Sequence, residues 1–354
     1  MSSDGAEVLF ERRGAAGLVT LNRPKALNAV TLAMVRELSR QLEQWQRDPS
    51  ITRVVVTAAG GRAFSAGGDI RALYELGCAG RFGEMLPFWR EEYTLNALIK
   101  RYPKPYVALI DGIVMGGGVG VSVHGSHRVA GDRFSFAMPE VGIGFFPDVG
   151  ATWFLPRMPG ELGAYCALTG ERLGAADGIA AGVVTQRVSS RRFGDLIDAL
   201  YSAAPVDAVL GAFAEPAGEA PITAHRALID RAFVCRHVGE ILAELDRAAQ
   251  TGGPDAVFAG ATAAAIRGKS PTSLQIALRQ VREGRTLPFE ACMQTEFRIV
   301  SRIIHGDDFY EGVRAVIIDK DNAPRWQPAE LAGVAPGEIE RHFAPLGADE
   351  LVLP

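Results

Sequence analysis

The sequence predicts an α/β fold in which buried parallel strands alternate with helices, followed by a mainly helical C-terminal region. A continuous β-branched run at residues 54–57 and an apolar run at residues 106–110 are typical of strands that are buried on both faces. An amphipathic helix precedes the first of these strands, and an order of strand, helix and strand predicts a right-handed parallel crossover. After about residue 205, Ala-rich and Leu-rich helical patterns replace the strand pattern.

The N-terminal elements follow from local patterns. Residues 8–10 and 18–21 are short apolar runs with two glycines between them, which predicts a β-hairpin. A helix with its N-cap at Thr31 is predicted next, because apolar residues then recur three or four positions apart. These residues are Leu32, Val35, Leu38, Leu42 and Trp45. Their spacing places them on one face of the helix, which we expect to pack against the core.

The C-terminal region carries a second strong helix signal. Ser270 and Pro271 predict an N-cap with proline in the first helical position, and Gly284 is expected to end that helix. We predict a catalytic core over residues 1–205. Residues 206–354 are predicted to form a mainly helical region that completes the same unit.

Composition and charge exclude several classes of protein. The chain has 354 residues, of which 48% are hydrophobic and 22% charged, as expected for a globular enzyme and not for a disordered chain. The formal net charge of −4 and the lack of a long apolar stretch give no reason to expect nucleic acid or a membrane as a partner. The four cysteines are far apart, which predicts reduced thiols. Because the first seven residues lack a signal-peptide pattern, we expect a cytoplasmic protein.

Three motifs that could suggest a cofactor or a metal are interpreted otherwise. Gly268-Lys269-Ser270 is similar to the end of a phosphate-binding loop, but Ala263 replaces the first glycine of that motif and a proline follows the serine. The glycines at 116–118 do not give the G-x-G-x-x-G spacing of dinucleotide-binding proteins. His124 and His127 have no acidic or cysteine partner at ligand spacing, so we expect no metal site.

Two glycine-rich turns indicate where chemistry could take place. Glycines at 116–118 follow an apolar run at residues 106–115, and glycines at 67–68 follow another short strand. Glycine lets the backbone approach a ligand, and one N–H from each turn could bind a single carbonyl oxygen. A plain connection between a strand and a helix is the alternative for the second turn. Two carboxylates, Glu140 and Asp148, follow in an otherwise apolar segment, which favours acyl chemistry.

Four motifs in a fixed order resemble the signatures of the crotonase superfamily, also called the enoyl-CoA hydratase/isomerase superfamily. They lie at residues 22–29, 64–70, 115–118 and 136–140. The resemblance implies a spiral of ββα units with a helical C-terminal region, acyl-CoA thioesters as substrates, and no cofactor apart from the coenzyme A of the substrate. It also implies an oxyanion hole made by the N–H groups of Gly68 and Gly117. The substrate-binding positions that it implies are Lys25, Ala26, Ala66, Asp69 and Ile70.

One departure from the superfamily pattern bears on the reaction. Hydratases of this family have a glutamate two residues after the triple glycine, and this chain has Gly120 there. Hydration of a double bond needs one group to activate water and another to protonate the α-carbon. Only Glu140 of that pair is present, and the chain adds Asp148 eight residues later.

Several segments resemble the 3-hydroxyisobutyryl-CoA hydrolase branch of the superfamily. They include residues 88–93, 122–125, 144–150, 270–274 and 312–321. This resemblance implies a thioester hydrolase of valine catabolism. It implies that Glu140 is the catalytic carboxylate, that Asp148 is its partner at the acyl end, and that Glu92 contacts the substrate.

Alternatives remain for these residues and for the reaction. Glu140 could act as a base or as a nucleophile, and Asp148 could instead cap a helix that begins near Val149. Glu92 could be a solvated helix carboxylate, because it and the adjacent Glu91 cannot face the same site. An enoyl-CoA isomerase is the second candidate, since one glutamate suffices for it, and a hydratase is the third. A non-catalytic acyl-CoA-binding protein is the candidate from another class.

The resemblance also bears on partners. It implies an acyl-CoA small-molecule substrate. A homo-oligomer is possible, because members of the family often form trimers and hexamers, but the enlarged helical tail could instead cover the surface used for assembly. Arg23 and Lys25 are the candidates for contacts with the phosphates of coenzyme A.

Overall fold

The computed structural model describes residues 5–354. The first four residues, on which part of the signal-peptide argument depends, lie outside the described residues. The chain forms two compact units, each assembled from several segments. The described segments are 5–69, 91–136 and 172–220 in the first unit, and 70–90, 137–171 and 221–354 in the second. The predicted division near residue 205 stays a prediction.

Nine strands lie within residues 5–354. They are β1 Val8–Arg13, β2 Ala16–Leu21, β3 Arg53–Ala58, β4 Ala63–Ser65, β5 Tyr106–Ile110, β6 Ile113–Met115, β7 His127–Ala130, β8 Ser135–Ala137 and β9 Gln186–Arg187. A six-stranded sheet has the order β1-β2-β3-β5-β7-β9, and a three-stranded sheet has the order β4-β6-β8. In the larger sheet β1 and β2 are antiparallel, and every other neighbouring pair is parallel.

The α-helices within residues 5–354 number sixteen. They are α1 Leu32–Arg47, α2 Ile70–Cys78, α3 Phe82–Lys100, α4 Gly117–Gly120, α5 Ala151–Phe154, α6 Leu162–Thr169, α7 Ala175–Ala180, α8 Phe193–Leu200, α9 Val206–Phe213, α10 Arg226–Phe233, α11 Val238–Thr251, α12 Ala256–Arg267, α13 Pro271–Gly284, α14 Phe289–Ile303, α15 Asp307–Val313 and α16 Pro336–Phe343. Short 3-10 helices at Pro24–Ala26 and Glu140–Ile143 carry predicted site residues. No helix in the described part of the chain is both long and apolar enough to cross a bilayer.

The predicted hairpin, parallel strands and capped helices of the first unit are confirmed. The central residues of β3 and all residues of β5 are buried, as their uninterrupted apolar sequences require. The hydroxyl of Thr31 accepts a hydrogen bond from the N–H of Met34 at 3.1 Å and so caps α1. The apolar face of this helix packs into the core. The predicted Leu32 is only half-buried, whereas Met34, which was not predicted for this face, is buried.

The second unit is mainly helical. Its best predicted element is α13, which begins at Pro271 and ends at Gly284. The hydroxyl of Ser270 accepts a hydrogen bond from the N–H of Ser273 at 3.1 Å, as an N-cap does. Close packing of α13 against the N-terminal part of the unit is visible at Gly284. A Cβ on this glycine would stand 1.8 Å from the carbonyl oxygen of Thr152.

Candidate active site

The triple glycine forms a tight entry from β6 into α4. Gly116 is the N-cap residue and has φ +43°, a conformation that favours glycine. Gly117 then begins the short helix, so its N–H is one of the helix N-terminal donors that have no partner inside the helix. Gly120, where hydratases have a glutamate, is the last residue of α4 and is buried.

The second glycine turn is held by the loop that carries the first predicted motif. Gly67 has φ +113°, and its carbonyl accepts a hydrogen bond from the N–H of Val30 at 2.8 Å. Asn28 is buried, and its amide donates to the carbonyls of Ala59 and Ala63, each at 2.9 Å. These hydrogen bonds hold the loop that contains Asn28 and Val30 against β4 and against the turn at Gly67.

Both turns belong to the first unit, and their N–H groups converge. The nitrogen of Gly68 lies 3.3 Å from the point where a Cβ on Gly117 would stand. Within residues 5–354, neither the Gly68 N–H nor the Gly117 N–H donates to a protein acceptor. Two neighbouring backbone donors of this kind can bind one oxygen that becomes negative during a reaction. The geometry therefore fits the predicted oxyanion hole.

Glu92 lies beside the same point. Its side chain is buried, and Oε1 is 2.6 Å from the Cβ position of Gly117. The interpretation of Glu92 as a solvated helix carboxylate is therefore wrong. The adjacent Glu91 is the solvated member of the pair and binds Arg36 with both oxygens at 2.7 Å. The two adjacent glutamates thus face different surroundings, as neighbouring positions on a helix do. The role of Glu92 in substrate contact stays a prediction.

Glu140 is the first residue of a 3-10 helix in the second unit, and only 6% of it is exposed. Its Oε2 is buried and has no hydrogen-bond partner within the described residues. Burial raises the pKa of Glu140 well above its ordinary value, and the negative charges of Asp148 and Glu296 raise it further. A buried carboxylate with a hydrogen-bond acceptor that has no protein donor and with a raised pKa is suited to accepting and returning protons.

The segment between Glu140 and Asp148 contains packed aromatic rings. Phe145 and Phe146, which lie between Glu140 and Asp148 in the sequence, pack with ring centroids 4.7 Å apart. Phe145 also stacks on Trp89, with centroids 5.7 Å apart. Apolar rings offer no hydrogen bond to a charged oxygen, so they favour the neutral form of a nearby carboxyl group.

Asp148 is buried in the second unit, and its charge acts on both Glu140 and Glu296. The interpretation of Asp148 as a helix cap is wrong, because α5 begins at Ala151 with Gly150 as its N-cap residue. A capping side chain would accept a hydrogen bond from the N–H of Thr152. That N–H donates instead to Glu296 Oε1 at 2.8 Å. Glu296, and not Asp148, therefore binds the N-terminal N–H groups of α5.

The remaining predicted substrate positions differ in exposure and pairing. Lys25 and Ala26 are exposed on the 3-10 helix of the first unit, and Lys25 has no ion pair within residues 5–354. Arg23 instead pairs with Glu7 and with Asp69, each at 3.0 Å. The half-buried residues of this group are Ala66, Asp69 and Ile70, of which Ile70 begins α2 in the second unit. Of the two candidates for phosphate contacts, Lys25 is thus the one whose charge is not already compensated.

Two site residues were not found from the sequence. Glu296 and Gln280 lie on α14 and α13 and hydrogen-bond the segment around Asp148. Their partners are more than a hundred residues away in the sequence, so no local motif could connect them. No group of His, Cys, Asp and Glu within residues 5–354 is arranged to hold a metal ion. None of the four cysteines, all within residues 5–354, forms a disulfide.

Known proteins resemble this chain over nearly its whole length. The family described as enoyl-CoA hydratase/isomerase matches residues 16–343. Proteins of Danio rerio and Rattus norvegicus named 3-hydroxyisobutyryl-CoA hydrolase, mitochondrial, are each 45% identical over 99% of the chain and cover 93% and 91% of their own lengths. A solved structure of a carnitinyl-CoA dehydratase from Mycobacterium thermoresistibile is 41% identical, with a TM-score of 0.92, over 98% of this chain and 99% of its own. The predicted crotonase fold is confirmed.

The comparison also corrects one prediction. The sequence predicts a cytoplasmic protein, but the names of the relatives from Danio rerio and Rattus norvegicus state that those proteins are mitochondrial. The cytoplasmic prediction is therefore wrong. Its basis was the composition of a short N-terminal stretch, and that stretch does not determine the fold or the chemistry of the chain.

Proposed function

The chain belongs to the enoyl-CoA hydratase/isomerase family, and within it we propose that this protein is a 3-hydroxyisobutyryl-CoA hydrolase. The carboxylates carry the proposal. Because residue 120 is glycine, one of the two acidic groups that hydration requires is absent. Glu140 and Asp148 are both present and buried in the second unit. The names of relatives 45% identical over nearly the full chain support the same conclusion.

The proposed reaction is hydrolysis of a thioester. The N–H groups of Gly68 and Gly117 bind the carbonyl oxygen and stabilise its negative charge as the carbonyl carbon is attacked. Glu140 either takes a proton from the attacking water or attacks as a nucleophile, in which case water then cleaves the acyl-enzyme anhydride. In both routes the C–S bond breaks and the sulfur of coenzyme A takes up a proton. The family resemblance assigns both groups to the same thioester.

Asp148 and Glu92 are proposed to act at the acyl end. The charge of Asp148 opposes the ionisation of Glu140, and its carboxylate could orient water or the substrate hydroxyl. The carboxylate of Glu92 lies beside Gly117, so it can accept a hydrogen bond from a group of the bound acyl chain. A β-hydroxyacyl group supplies such a donor, which favours a hydroxylated substrate.

The coenzyme A moiety is proposed to lie along the loops of the first unit. Lys25 is the candidate for its phosphates, with Ala26, Ala66, Asp69 and Ile70 as neighbouring contacts. Hydrolysis needs only water as the second reactant, so we propose no cofactor besides the coenzyme A of the substrate. We also propose that the protein assembles as a homo-oligomer, as its family does.

The sequence ranks an isomerase second and a hydratase third, but the name of the solved carnitinyl-CoA dehydratase structure favours a hydratase or dehydratase as the alternative to a hydrolase. The two reactions are separated by measuring the release of free thiol and the loss of the conjugated double bond in parallel. We expect 3-hydroxyisobutyryl-CoA to release coenzyme A faster than crotonyl-CoA gains water. Hydration of crotonyl-CoA without thiol release from any β-hydroxyacyl-CoA would contradict the proposal.

A further inference from the structure

Glu296, on α14, is fully buried and binds the backbone that follows Asp148. Its Oε2 accepts a hydrogen bond from the N–H of Gly150 at 2.7 Å, and its Oε1 accepts one from Thr152 at 2.8 Å. These donors open the short helix α5. A carboxylate that accepts two backbone N–H bonds in a buried place is strongly held and fixes its partners in turn.

A second helix holds the same segment from its other end. Gln280, on α13, is fully buried, and its Nε2 donates to the carbonyl oxygen of Pro147 and to Thr152 Oγ1, the latter at 2.9 Å. The residues before and after Asp148 are thus each bound to a C-terminal helix. We call residues 147–152 the Asp148 segment.

The conformation of the Asp148 segment needs this support. Val149 has φ +53°, and left-handed backbone is a true outlier for a β-branched residue. Such conformations are strained and persist only where the surrounding structure holds them. The hydrogen bonds to Pro147, Gly150 and Thr152 hold the backbone of Val149 in this conformation. Without them we expect the segment to relax and the Asp148 carboxylate to move.

Glu296 is also linked by charge to the proposed catalytic pair. Its negative charge opposes the ionisation of Glu140, and the charge of Asp148 opposes the ionisation of Glu296. Three buried carboxyl groups therefore respond to one another. Removal of any one charge changes how readily the other two lose their protons.

We infer that Glu296 is a positioning residue of this enzyme: it holds the Asp148 carboxylate in the orientation that hydrolysis requires, with Gln280 as the second support of the Asp148 segment. The inference rests on the proposed role of Asp148. It assigns to the C-terminal helices a part in catalysis that is distinct from closing the core.

The test compares three variants of the full-length protein with 3-hydroxyisobutyryl-CoA. Glu296→Gln keeps the shape of the side chain but removes its charge and one acceptor. Because misplacement of a catalytic group by about 1 Å can cost about 100-fold, we expect kcat to fall at least about 10-fold while KM changes little. We also expect the pH profile of kcat/KM to lose a step at about pH 8, where Glu296 ionises and its charge begins to oppose the ionisation of Glu140.

Gln280→Ala removes support without removing a titratable group, so kcat should fall while the step at about pH 8 stays in place. Asp308→Asn is the matched control, because Asp308 is another buried carboxylate and accepts a hydrogen bond from a backbone N–H, that of Gln327, at 2.7 Å. It should change thermal stability but not the pH profile. Wild-type kcat and an unchanged step in the pH profile of Glu296→Gln would overturn the inference, as would the same kinetic changes in Asp308→Asn.

Two further outcomes keep the inference separate from the proposed function. If Asp148→Asn lowers kcat while Glu296→Gln and Gln280→Ala do not, only the positioning role fails. If the wild type releases no thiol from any β-hydroxyacyl-CoA, the proposed function itself fails. If Glu296→Gln does not fold, Gln280→Ala decides the question, and wild-type kcat in that variant would overturn the inference.

Discussion

The carboxylate of Glu92 occupies the space that a side chain on Gly117 would need. Oε1 of Glu92 is 2.6 Å from the Cβ position of Gly117, and the nitrogen of Gly68 is 3.3 Å from the same point. The glycine therefore allows three polar groups of the first unit to meet: two backbone N–H donors and one carboxylate. Donors beside an acceptor suit a substrate that carries both a carbonyl oxygen and a hydroxyl group.

Gly117→Ala tests this arrangement. The backbone of Gly117 is helical, so alanine is allowed there, but its methyl group must displace the Glu92 carboxylate and crowd Gly68. We expect kcat/KM for thiol release to fall by about 10-fold to 100-fold. Gly194→Ala is the control, because Gly194 is an exposed helical glycine of the same unit with no atom near its Cβ position. Equal activity of the two variants would show that Gly117 does not shape the site.

Glu140→Gln should abolish most of the turnover. Glutamine has nearly the same size but cannot take a proton or form the anhydride, and general acid–base groups contribute about 100-fold to 10,000-fold in rate. We expect kcat to fall far more than KM. Retention of more than about a tenth of the wild-type kcat, under about 1.4 kcal/mol of barrier change, would exclude Glu140 as the principal catalytic group.

Glu161→Gln is the matched control for that variant. Glu161 is another buried glutamate of the second unit, but it pairs with Arg282 at 2.7 Å and with Arg285 at 2.6 Å. Removal of its charge leaves two cations without their partner, so it should lower the melting temperature. It should leave kcat unchanged, which separates loss of a buried charge from loss of a catalytic group.

The contrast between these carboxylates shows what sequence reasoning could find. β3, β5 and α1 were predictable because their burial follows from the order of apolar residues within a few positions. The glycine turns were predictable because backbone at positive φ and close approach both require glycine, as at Gly67 and Gly116. Glu140 and Asp148 were found because two acids stand in an apolar segment.

The supports of Asp148 could not be found in the same way. Glu296 lies 146 positions from its partner Gly150, and only the folded chain brings them together. One signal was present: Glu296 falls on the apolar face of α14, where Met293, Phe297 and Val300 are buried. A charged residue on a buried helix face indicates a buried partner, but not which one. The cytoplasmic prediction was wrong for another reason, because it depended on the pattern of seven N-terminal residues and not on the folded core.

Asp148→Asn should lower kcat without unfolding the protein. Asparagine keeps the volume of the side chain, and α5 is capped by Glu296 and not by Asp148, so stability should change little. The lost negative charge makes Glu140 easier to ionise, so the acidic limb of the kcat/KM profile should move to lower pH. Unchanged hydrolysis with an unmoved limb would remove Asp148 from the mechanism.

The stability of the protein should depend on the carboxyl cluster. Burial raises the pKa of Glu296 from 4.5 to about 8, so between these values the folded protein keeps a proton that the unfolded chain releases. The stabilising contribution is complete below the lower value and is lost as pH rises towards the upper one. The free energy of unfolding from urea titrations should therefore decrease over this range. In Glu296→Gln the decrease should be smaller, and an identical slope in wild type and variant would contradict the assignment.

The Gly120→Glu variant restores the second acidic group of hydratases. It tests whether the absence of that carboxylate is what prevents hydration. Gly120 lies in α4 and does not have positive φ, so the backbone accepts other residues there. The site is buried, so the variant is informative only if its circular dichroism and melting temperature show that it folds. A folded Gly120→Glu that hydrates crotonyl-CoA, with Gly120→Gln as an uncharged control that does not, would show that the missing carboxylate separates the two reactions. Hydration requires an acid and a base on the same double bond, whereas thioester hydrolysis requires one such group and an oxyanion hole. If the folded glutamate variant hydrates nothing, the absent carboxylate does not by itself explain the divergence, and the Asp148 segment must also differ between hydrolases and hydratases.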